Sequence, residues 1–82
     1  MVTDDERLRV YLHDTLVADG DVRSLVNGWD HDKAQQIVDL VMGDYVTELN
    51  RALADGRDRL YGQDAPSFMR QYGELWRLKL SL

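Results

Sequence analysis

A chain of 82 residues has room for one hydrophobic core and not for two, so the sequence describes a single domain, residues 1–82, with little volume for a deep active-site cleft. Apolar residues at 44% and charged residues at 30% separate it from disordered chains, and the absence of cysteine removes disulfides, thiolate metal sites and cysteine nucleophiles. The net charge of −5 is uneven: residues 1–50 carry eleven acids against four bases and residues 51–82 four against six, an acidic front and a mildly basic tail.

The first expected element is a helix over about 4–18. Thr3 and Glu6 have the spacing of a capping box, and Asp4 and Asp5 complement the positive end of the helix dipole. Leu8, Tyr11, Leu12, Thr15 and Leu16 recur at helical spacing as the core-facing stripe. Val10 and Val17 lie seven apart on the opposite side with His13 between them, a second stripe with no evident use inside a small bundle. Gly20 is expected to end this helix in the left-handed conformation. A short helix over 21–27 follows, capped by Asp21, and Asn27 and Gly28 break it because both tolerate positive φ.

The pattern then predicts one long helix over 30–55, capped by Asp30, with Trp29 as a staple on its first turn. Ala34, Ile37, Val38, Val41, Met42, Tyr45, Val46, Leu49, Ala52 and Leu53 fill an arc of roughly 180°, wide enough to need two neighbours. Gly43 falls on the polar half, where it costs roughly 1 kcal/mol relative to alanine and marks a bend or the close approach of another backbone. Glu48, at the edge of the arc, is expected to pair with Arg51. Residues 56–66 form a connection that pins Leu60 and Tyr61 on the core. Asp64 or Ser67 with Pro66 then opens a last helix over 66–80, whose inner face is read as Phe68, Met69, Tyr72, Leu75, Trp76 and Leu80. Residues 76–82 also alternate at strand period, but no second strand offers them a partner. The fold class expected is all-α, a small three- to four-helix bundle with one long central helix.

Chemistry finds little support. Asp30, His31 and Asp32 are possible metal ligands, but consecutive helical side chains diverge by about 100°, and capping explains both acids. A calcium loop starting at Asp19 would put Arg23 and Ser24 where a ligand and a glycine belong. Acyl carrier proteins are also small, acidic and helical, yet Asp14-Thr15-Leu16 has Thr in place of the serine that bears their prosthetic arm. Ser24, Ser67 and Ser81 have no histidine nearby in sequence, and no glycine-rich phosphate loop is present. No catalytic, cofactor-binding or metal-ligating residue is therefore expected. A helix-turn-helix reading of residues 21–55 would turn Asp39, Asp44 and Glu48 toward DNA phosphates, which repel them.

The function expected is a non-enzymatic protein-interaction module, a small acidic adaptor or inhibitor that occludes a partner, of the kind common among phage-encoded inhibitors and immunity proteins. Its partner would be another protein, one with a basic surface given the acidic front, and the candidate contact residues are Val10, His13, Val17, Asp39, Gly43 and Asp44. A homo-oligomeric assembly protein and a DNA-binding regulator are the alternatives. No apolar run approaches the length of a membrane span and the N-terminus is acidic, so a cytoplasmic location is the expectation.

Overall fold

A computed structural model describes residues 4–82; the Thr3 half of the expected capping box lies outside them. Four helices follow in order: α1 (Asp4–Val17), α2 (Val22–Asn27), α3 (His31–Asp55) and α4 (Ala65–Ser81), with no strand among the described residues. No helix among them is long and apolar enough to cross a membrane. The helix ends are set by side-chain caps. Asp21, Asp30 and Asp64 each accept a backbone N–H from the residue three positions on, at 3.2, 3.3 and 2.9 Å. Residues 76–81 continue α4, so the alternating tail is helical.

α3 is the spine. One flank meets α1, where Asp5 accepts from Lys33 at 2.5 Å and the Asp44 carboxylate takes two bonds from the Arg9 guanidinium. Another flank meets α4 antiparallel: the Tyr45 hydroxyl donates to Gln71 at 2.7 Å, and Lys79 pairs with Asp39 at 2.8 Å. Leu12, Leu16, Val22, Val26, Ile37, Val38, Val41, Phe68, Leu75 and Leu78 fill the space between the four helices. The width of α3's apolar arc thus does require two long neighbours.

Several local expectations are corrected. The left-handed residue after α1 is Asp19 at φ 59°, one before Gly20. Gly20 is instead a place of close approach, since a Cβ there would sit 2.9 Å from the Thr15 methyl. Gly28 keeps a right-handed φ of −82°. Tyr11 is half exposed because α1 leans toward its Arg9 and His13 side, where α3 supplies Asp44 and Tyr45. Glu48 reaches not Arg51 but Arg57 at 3.3 Å and the Tyr61 N–H at 2.7 Å. The α3–α4 connection turns tightly, with Leu60 and Gln63 exchanging backbone bonds of 2.9 and 3.0 Å across Tyr61 and Gly62, both at positive φ. Tyr61 is held in that uncommon conformation by the Glu48 bond and by its own hydroxyl, which donates to the Asp44 carbonyl at 3.0 Å.

The inner face of α4 is the largest correction. Phe68, Gln71, Leu75 and Leu78 are buried, whereas Met69, Trp76 and Leu80 face water. Gln71 is the reason. It is fully buried, accepts from Tyr45 and exchanges amide bonds with Gln63 at 2.5 and 3.0 Å, so this polar side chain sets the rotation of the helix. Burial pushes the Tyr45 hydroxyl well above its ordinary pKa, and it remains a donor to Gln71.

Candidate functional site

The rotation of α4 moves part of its apolar stripe to the surface, next to the part of α3's stripe that the core leaves uncovered. On α3 these are Val46, Leu49 and Leu53; on α4 they are Met69, Tyr72, Trp76 and Leu80. Val46, Met69 and Trp76 keep 42–49% of their surface in water, Leu53 71% and Leu80 80%. Between the helices lies a shallow groove of about 100 Å³ lined by Tyr45, Val46, Leu49, Phe68, Met69 and Tyr72, almost entirely apolar. Farther along the same two helices Lys79 pairs with Asp39 and lies 5.7 Å from the centre of the Trp76 ring. Wider clefts elsewhere are open and mixed in polarity, such as the one between Val22, Arg23, Glu74 and Arg77. The α3–α4 face therefore combines apolar area, concavity and few charges, which marks recognition surfaces better than isolated exposed residues do.

The residues singled out from sequence do not gather at one place. Val10 and Val17 are exposed on the outside of α1, but His13 is not part of a surface stripe with them. Its ring packs 5.7 Å from Tyr45 and 4.8 Å from Tyr61, and its Nε2 is buried without a hydrogen-bond partner. Asp44 sits between α3 and α1, held by Arg9. Asp39 lies at the end of the α3–α4 face, held by Lys79. Asp39 and Asp44 are thus each engaged by a cation within the fold. Gly43 lies between them on an open surface, where a Cβ would meet nothing within 4 Å.

Sequence reading missed Gly73. It falls on the exposed α4 stripe with Met69, Trp76 and Leu80, at i, i+4, i+7 and i+11, and a Cβ there also meets nothing within 4 Å. The signal was present: a glycine inside a strong helical pattern that no turn or cap demands. For chemistry the arrangement offers little. The Tyr45 hydroxyl is directed at Gln71 and away from the groove, and among the described residues no three His, Asp or Glu side chains gather as metal ligands. Comparisons with protein families, with curated proteins and with solved structures return no match to this chain.

Proposed function

We propose that this chain is a protein-interaction module that acts by docking and not by catalysis, and that it docks through the face formed by Val46, Leu49 and Leu53 of α3 with Met69, Tyr72, Trp76 and Leu80 of α4. The observation that carries this reading is the exposed apolar area on that face. Its five most exposed large side chains, Val46, Leu53, Met69, Trp76 and Leu80, leave on the order of 500 Å² in water, within the range at which the largest patch of a monomer is commonly functional. Trp76 stands on its ridge as the kind of aromatic anchor that dominates binding energy. The groove beside it supports recognition of another surface over turnover, being apolar and shallow with no base or nucleophile directed into it.

The test uses charge insertion on two faces. Leu53→Glu with Trp76→Glu should abolish the contacts the wild-type chain makes, with itself or with another protein, as read by cross-linking and by amide-exchange protection over residues 46–53 and 69–80. Val10→Lys with Val17→Lys should leave them intact. The reverse pattern would move the docking surface to α1, and contacts indifferent to both pairs, or no contact at all, would refute the reading.

A further inference from the structure

The two glycines that the fold does not use lie side by side. Tyr45 meets Gln71, and Asp39 meets Lys79, across the antiparallel α3–α4 pair. Interpolating between those contacts puts Gly43 level with Gly73 to within a turn of helix. Both are at mid-helix, and at neither would a Cβ touch anything in the chain. Glycine is the residue least favourable to a helix interior after proline, so two of them at one height, with empty space above both, are unexplained by the chain alone.

We infer that the face is covered by a second copy of this chain, related by a two-fold axis that runs across α3 and α4 at the level of Gly43 and Gly73. This rests on the docking reading above and names its partner. A two-fold contact must be self-complementary: if one residue meets another across the axis, the second also meets the first. On α4 the residues flanking the glycine have that property. Met69 and Trp76 stand four before and three after Gly73, and the rotation lays Trp76 of one copy on Met69 and the groove beside it in the other. Sulfur against an aromatic ring is a favourable contact, and the bare glycines let the backbones approach over the axis.

Area and charge agree with this occupant. A standard interface removes about 800 Å² per partner, of which about 65% is apolar in homodimers, or on the order of 500 Å². That is the apolar area the face leaves in water. Among the described residues the ion pair at the face is Asp39 with Lys79, already formed within one chain, and the acidic start of α1 lies against a different flank of α3, through Asp5 and Lys33. Two chains of net charge −5 can therefore meet here without bringing their acidic ends together.

Sedimentation equilibrium of the full chain tests it, alongside Gly43→Gln with Gly73→Gln, a pair the fold accepts because the space is open. The wild type should run at about 19 kDa, twice the 9.5 kDa of one chain, with Kd at or below about 1 µM. The glycine pair should keep its helical circular dichroism and melt no lower than wild-type monomer, yet weaken association by roughly tenfold or more. A 9.5 kDa wild type up to about 1 mM would overturn the proposal, as would a dimer that neither the glycine pair nor Trp76→Glu disturbs. If the wild type is monomeric but binds another protein in a Trp76-dependent way, the second copy is refuted and the docking face stands. If it is monomeric and binds nothing, both fall.

Discussion

The buried Tyr45–Gln71–Gln63 network makes a prediction that separates hydrogen bonding from packing. Replacing Gln71 by Leu, close in size and more apolar, should destabilise the domain despite its better transfer free energy. The Tyr45 hydroxyl would be left in a fully buried site without its 2.7 Å acceptor, a loss worth about 1–3 kcal/mol and only partly offset by the apolar gain. Tyr45→Phe alone should cost about 1 kcal/mol, because Gln71 Oε1 keeps its second donor, the Gln63 amide at 3.0 Å. With both changes the orphaned hydroxyl is gone, and Gln63, half-buried at the edge, can turn to water. The double variant should therefore be more stable than Gln71→Leu alone by about 1 kcal/mol, a coupling of about 2 kcal/mol. Urea unfolding followed by circular dichroism reads this as midpoint shifts of about 1–2 M at a slope near 1 kcal/mol/M. Single effects that add to within about 0.5 kcal/mol would refute the network as the determinant of α4's rotation.

Glu48 is held below its ordinary carboxyl pKa by the Arg57 guanidinium first and by the Tyr61 N–H second. A depressed folded value gives stability that is fully present above the ordinary value of about 4.5 and lost below it, as pH falls through the folded value, so Glu48→Gln should lower the melting midpoint at pH 7 and flatten the acid limb of the pH profile. Asp44→Asn removes the two-bond contact with Arg9, and at this partly exposed site the loss should be about 1 kcal/mol in dilute buffer and smaller in 1 M salt, by parallel urea titrations. His13→Leu removes the unpartnered Nε2 while keeping apolar bulk against Tyr45 and Tyr61. It should raise the urea midpoint, and a fall of about 1 kcal/mol or more would mean that the ring contacts outweigh the unpaired nitrogen.

The elements were legible because their signals are local. Asp21, Asp30 and Asp64 each cap as side chains of that type do, and the 25-residue run from His31 to Asp55 ends where Gly56 takes φ 66°. Helix rotation was not legible in the same way. The stripe Phe68, Met69, Tyr72, Leu75, Trp76, Leu80 is a valid amphipathic face, and only the long-range bond from Tyr45 to Gln71, 26 residues apart, turns α4 away from its centre. Asp39 and Asp44 read as a bare surface because their partners, Lys79 and Arg9, are 40 and 35 residues distant in sequence. Tyr61 at positive φ was likewise hidden, since a tyrosine carries none of glycine's conformational signal.

The excess width of α3's apolar arc connects the fold to the proposed contact. An arc of roughly 180° is covered by α1 on one side and α4 on the other, and what remains uncovered is Val46, part of Leu49 and Leu53. Had α4 turned its own stripe fully inward, Met69 and Trp76 would lie nearer that remainder and shield it. Gln71 takes the central inward position instead, so two partial stripes emerge side by side on one face, with Gly43 beside one and Gly73 within the other. A fold selected for monomer stability alone would gain from a leucine at position 71 with a matching apolar residue at 45, and from alanine at 43 and 73. All four positions depart from that optimum in the direction that keeps the α3–α4 face apolar, open and closely approachable, which is why the docking reading places it there and not on the isolated valines of α1.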